Sequence, residues 1–151
     1  MRRWREPRSL RDDDGSALVE FVALALLVMI PLIYVVMAVA RVQSAAYAVS
    51  TAVREAGRVY ATSASDAQGR QRAGTAARLA LADHGLDLPA GTLRLHCAGG
   101  ACLSPGSRIE VSLNLAVPLP FLPQNLGEGT DLSIPVSAGH VEVVDTYRDP
   151  Q

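Results

Sequence analysis

Glu20 is the residue whose chemistry most needs explaining. It lies within Ala17–Ala40, 24 residues that carry one charge and one proline, Pro31. A carboxylate near the centre of a membrane helix costs about 2.5–3.5 kcal/mol on insertion scales, and less towards the helix end. Two readings of Glu20 follow: it reaches out to the interface, or it finds a positive partner within the membrane or an assembly. Cys97 and Cys102 are a second candidate pair, separated by Ala98-Gly99-Gly100-Ala101. In an oxidising compartment they are expected to close a short disulfide loop; the alternative is two buried thiols. A metal site that adds His96 has only three candidate ligands, one short of a closed tetrahedral set. His84, His96 and His140 are scattered along the chain and read as surface or strand residues. With no nucleophile–base pair, phosphate loop or metal-spaced cluster, we expect no catalysis, no cofactor and no small-molecule substrate.

These residues must be positioned by a few elements. The apolar run exceeds the roughly 20 residues needed to cross a bilayer core, so a transmembrane helix is predicted. Residues Met1–Gly15 form a short charged leader, with Gly15 breaking the chain just before the helix. The acidic triplet Asp12-Asp13-Asp14 suits a helix N-terminus through the macrodipole. Val42, Ala46, Val49, Val53, Ala56 and Tyr60 recur at steps of four and three, which marks one helix face. A continuous helix from Ser16 to Tyr60 would reach about 68 Å at 1.5 Å per residue and carry a domain beyond the bilayer, with Pro31 a candidate kink. Ala61–Gly69 reads as a linker. A second helix is predicted over Arg70–His84, with Ala73, Ala76, Ala77, Leu79, Ala80 and Leu81 on its apolar side and Gly85 as its stop.

The period then changes to two. Leu93, Leu95 and Cys97 alternate with Arg94 and His96. Ile109, Val111, Leu113, Leu115 and Val117 alternate with Glu110, Ser112 and Asn114. Leu132, Ile134, Val136 and Ala138 form a third set, whose phase slips at Gly139-His140 and resumes with Val141 and Val143. Three half-buried strands are predicted, the last with a bulge at Gly139, in an antiparallel meander packed on helices. The proline-rich connection from Pro118 to Asp131 is expected to cover the core edge or to meet a partner. The fold class is therefore α+β: a long transmembrane and amphipathic helix, a short helix and a small three-stranded antiparallel sheet. The domains are a leader over 1–15, a transmembrane and projecting helix over 16–60, and an extracytoplasmic α+β domain over 61–151.

Orientation follows from arginine. Arg2, Arg3, Arg5, Arg8 and Arg11 precede the apolar run, whereas Arg41, Arg54 and Arg58 follow within the range over which the positive-inside bias is counted. The N-terminus is predicted to be cytoplasmic and the domain outside a cell membrane. A net charge of −1 argues against nucleic acid as a partner, because phosphate binding needs a clustered positive surface.

Gly15-Ser16-Ala17-Leu18-Val19-Glu20-Phe21 resembles a type IV pilin leader junction: a glycine, then an apolar helix whose fifth residue is glutamate followed by an aromatic. Followed by an Ala/Leu-rich helix with Pro31, it is most similar to the TadE-like pseudopilins of tight-adherence (Flp) pilus systems. The resemblance covers Gly15–Ala40 and is architectural beyond it. It implies a prepilin peptidase that cuts after Gly15 and leaves Ser16 as the new N-terminus. Glu20 and Phe21 become assembly residues, and the partners are other pilin or pseudopilin subunits. The residue before the glycine, often basic in pilin leaders, is Asp14 here.

Two other readings compete. Arg2-Arg3 and Ala38-Val39-Ala40 imitate a secretory signal peptide, but the apolar run exceeds the usual 7–15 residues and contains Glu20. An uncleaved single-pass anchor with a binding or scaffold domain is the second.

Overall fold

The computed structural model describes residues 13–98, 101–120 and 133–147. Two α-helices precede three strands: α1 Asp13–Ala61, α2 Asp66–Ala82, β1 Leu93–Ala98, β2 Arg108–Pro118 and β3 Ser133–Val143. The strands form one antiparallel sheet in the order β1-β2-β3. The fold is the expected α+β arrangement. The chain divides into two units, Met1–Met37 and Ala38–Gln151.

In the first unit, α1 is long and apolar enough to cross a membrane by length and composition. Its leucines, valines and isoleucines are exposed all round the helix. An all-apolar helix surface suits hydrocarbon rather than water. The helix begins at Asp13, so Gly15 lies inside its first turn and does not break the chain. Helical geometry also continues through Pro31. That proline leaves the Leu27 carbonyl without its usual donor.

In the second unit, the remainder of α1 buries one face: Ala45, Ala48, Val49, Ala52, Val53, Ala56 and Tyr60. Ala46, expected on that face, is exposed. Small side chains let the neighbouring elements come close. A Cβ added at Gly57 would lie 3.3 Å from Glu142 Cβ and 3.4 Å from Val111 Cγ2.

Helix α2 starts four residues earlier than predicted, because Ser65 caps it by accepting from the Gln68 N–H. The linker is correspondingly short. Gly69 is buried under Tyr60, and Ala73, Ala77 and Leu81 continue that side, whereas Leu79 is exposed. The helix closes as expected at Gly85. Leu86 N–H donates to Leu81 O at 3.0 Å and Gly85 N–H to Ala82 O at 2.9 Å. This paired closure needs a left-handed residue, and Gly85 has φ +64°.

The predicted alternation of β2 is observed: Ile109, Val111, Leu113, Leu115 and Val117 face the core. The expected bulge at Gly139 is absent. Pairing of β3 with β2 is continuous from Arg108↔Val143 to Pro118↔Ser133. The inward positions after Ala138 are therefore His140 and Glu142, while Val141 and Val143 face outward and are exposed. Leu132 and most of the proline-rich connection lie outside the described residues.

Gly69 and Gly74 give a paired test of this packing. A Cβ at Gly69 meets the Tyr60 ring at 2.9 Å, whereas one at Gly74 meets nothing within 4 Å. Gly69→Val should lower stability by about 1–3 kcal/mol through overpacking. Gly74→Ala should raise it by up to about 1 kcal/mol through helix propensity. Thermal unfolding of the full chain in detergent micelles checks both signs.

Candidate functional site

The residues singled out from the sequence do not converge on one centre. Gly15 and Ser16 lie in the first turns of α1, with Glu20 and Phe21 one turn further on. Glu20 and Phe21 are both exposed. Among the described residues Glu20 has no hydrogen-bond or ion-pair partner. It is thus a carboxylate one turn into an apolar helix, presented outward beside an aromatic ring. The chemistry available to it is pairing with a cation supplied from outside the described residues.

Cys97 and Cys102 are joined in a disulfide with Cα atoms 5.2 Å apart. The bond closes the start of the β1–β2 connection. Ser107 Oγ donates to Cys102 O at 2.7 Å, and Gly106 and Ser107 exchange backbone hydrogen bonds with Val144. The three histidines remain apart. His84 Nδ1 lies 3.0 Å from Ser44 Oγ, His96 is exposed on the outer sheet face, and His140 Nε2 lies 3.1 Å from Glu142 Oε2. Among the described residues no group of three or more His, Cys, Asp or Glu could hold a metal ion.

Two polar clusters were not anticipated. Arg41, the first charge after the apolar run, donates to His84 O and Gly85 O, each at 3.4 Å. It places a cation on the turn just beyond the C-terminus of α2, where the helix dipole favours one. At the other end of α2, the Tyr60 hydroxyl donates to Asp66 Oδ1. Arg70 Nε donates to Asp66 Oδ2 at 2.9 Å, and the guanidinium carbon lies 6.0 Å from the Tyr60 ring centroid. Asp66 and Arg70 stand at i,i+4 and carry a sequence signal. Tyr60 does not, because its hydroxyl reaches Asp66 only once the connection folds back.

Burial, then the hydrogen bond and charge of Asp66, push the Tyr60 phenol up to about 12 from its ordinary 10.0. The hydrogen bonds from Arg70 and then Tyr60 hold the Asp66 carboxyl below its usual range. This cluster and the disulfide fasten the part of the domain near the C-terminal end of α1.

No protein-family model, curated protein or solved structure matches the chain.

The folded-state pKa of Tyr60 lies above its ordinary value, so the stabilisation it contributes is complete below pH 10.0 and is lost as pH rises through about 12. Tyr60→Phe should cost about 1.5–3 kcal/mol near neutral pH, the range for a hydrogen bond to a charged group. It should also flatten the alkaline limb of the stability profile. Denaturant unfolding from pH 8 upward, beside ultraviolet titration of the tyrosines, reads both effects. Separately, opening the disulfide by Cys97→Ser with Cys102→Ser should cost about 2 kcal/mol, the loop-entropy value for so short a closure. Thermal unfolding under oxidising conditions measures that loss.

Proposed function

We propose that this chain is a minor pilin-like subunit, similar to TadE-like pseudopilins, that is cut by a prepilin peptidase after Gly15 and assembles with other pilin or pseudopilin subunits. The observation that carries the reading is Glu20: an exposed carboxylate without a described partner, in a helix otherwise suited to hydrocarbon. A buried or membrane-embedded charge is expensive alone and tolerable when paired. Cleavage after Gly15 creates an α-ammonium at Ser16. The new charge stands four residues from Glu20, about 6 Å along the axis, and can meet the carboxylate of a neighbouring subunit offset by about one turn. In this reading the chain spans the cell membrane once, with its N-terminus cytoplasmic and the α+β domain outside. The disulfide supports the outside placement, because such bonds persist in oxidising compartments.

One observation favours the uncleaved anchor as the second reading. Helix α1 begins at Asp13, so the Gly15–Ser16 bond lies within helical backbone. The mature N-terminal residue in the native host separates the alternatives: Ser16 for the processed subunit, Met1 for the anchor, Arg41 for a secreted domain. For the processed subunit, Glu20→Ala should reduce incorporation into assemblies by tenfold or more, taking the lost pair at roughly 1.5–3 kcal/mol. Glu20→Asp should restore part of it. Unchanged co-purification of partner subunits with Glu20→Ala would rule out the charge pairing.

A further inference from the structure

The charge-free part of α1 runs from Phe21 to Ala40, between Glu20 and Arg41. Its twenty residues rise about 30 Å, which matches the hydrocarbon thickness of a bilayer. Arg41 thus marks one boundary of the hydrocarbon, and Ala38 and Val39 lie just inside it. These two residues also belong to the compact unit that contains the α+β domain. With Val42, Gln43 and Ile134 they line an open pocket of about 230 Å³. Ala38–Val42 and Val39–Gln43 are two adjacent i,i+4 rows of α1, and Ile134 of β3 borders the pocket from the side. Ile134 occupies an inward register position, yet it is 37% exposed. The pocket is therefore apolar, open and shared between the end of the hydrocarbon run and the near end of the sheet.

We propose that this end of the domain rests in the interfacial layer of the bilayer, with lipid acyl chains filling the pocket against Ile134 and Val42. The proposal depends on α1 being a spanning helix. A lipid is the fitting occupant because the pocket is continuous with residues already inside the charge-free window. The polar groups at the same height suit the headgroup layer. Arg41 and Ser44 are half-exposed, and the exposed turn at His84 and Gly85 is tied to both. An apolar surface with a cationic rim is the composition that settles at the boundary of headgroups and acyl chains. The domain would then be seated on the membrane rather than held off it.

The test uses the full chain in phosphatidylcholine–phosphatidylglycerol vesicles with an environment-sensitive fluorophore on one introduced cysteine. Three sites are compared: Ile134→Cys at the pocket, Val28→Cys inside the span, and Val143→Cys on the outer sheet face. Quenching by lipids with a nitroxide high on the acyl chain should be at least about twofold stronger at residue 134 than at 143, with blue-shifted emission, as a shallow insertion of about 5–10 Å requires. Emission at 134 equal to that at 143, with residue 28 quenched, overturns the seating while leaving the spanning helix intact. Absence of quenching at residue 28 by lipids labelled at any depth overturns the span and the seating together. A blue shift at 134 that disappears when the protein is diluted in lipid, with no nitroxide quenching, assigns the pocket to a second copy of the chain and overturns the lipid proposal.

Discussion

Helix α1 carries two kinds of surface along one continuous backbone. Over its first half aliphatic side chains are exposed on every side, which makes it apolar enough to cross a membrane. Over its second half one face must disappear into a protein core while the other stays in water. The buried face is built almost wholly of alanine, valine and glycine up to Tyr60. A helix with so little side-chain volume cannot fill a core by itself. The strands therefore supply the bulk, through Ile109, Val111, Leu113 and Val117 at full burial. This small-against-large complementarity lets a small sheet bury its inner face on helices.

Close approach has a cost where the two surfaces come nearest. At Gly57 the neighbours are Val111, His140 and Glu142. An aliphatic pair at 140 and 142 would bury more apolar area. The imidazole and carboxylate instead hydrogen-bond each other at 3.1 Å while staying about one-third exposed. Half-exposed pairs of this kind add little net stability, so their role is to fill the rim of the core without leaving polar groups unpaired. The two ends of α2 are fixed by stronger chemistry. Its start is tied to Tyr60 through Asp66, and its end to Arg41 and Ser44. Helix α2 is thereby held against α1 at both ends, so the burial of Gly69, Ala73, Ala77 and Leu81 between them is a consequence of a fixed frame.

Much of this could be read from the residues alone where hydropathy alternates sharply. The inward set of β2 is unambiguous because each aliphatic residue is flanked by a polar or small one. Alanine blurs such readings. Ala45 and Ala46 are equivalent in hydropathy, so the periodicity points to Ala46 although Ala45 is the buried one. Gly69 resembled a linker residue, but its missing Cβ is what admits the Tyr60 ring. On β3, Val141 and Val143 suggest a phase slip if valines mark the core. Both are outward, where a β-branched side chain still favours the strand. The inward His140 and Glu142 show that a half-exposed rim position can be polar without a bulge. The Tyr60–Asp66–Arg70 cluster was hidden for another reason: its tyrosine joins by tertiary folding, which a periodic pattern does not encode.

The two charges that bracket Phe21–Ala40 differ in how they are satisfied among the described residues. Arg41 spends its donors on the carbonyls of His84 and Gly85 within its own chain. It also stands a full hydrocarbon thickness from Glu20, about 30 Å along the helix. It is therefore out of reach of Glu20 in its own chain. A cation at the depth of Glu20 has to come from the opposite boundary, and Ser16 lies four residues away, about 6 Å along the axis. In the proposed reading the carboxylate of one subunit meets the new ammonium of the next only if the two helices are offset by roughly one turn. Such an offset repeats from subunit to subunit in one direction, a head-to-tail relation that extends instead of closing. In that reading Glu20, unpaired among the described residues, would specify stepwise assembly, while Arg41 is held within its own chain.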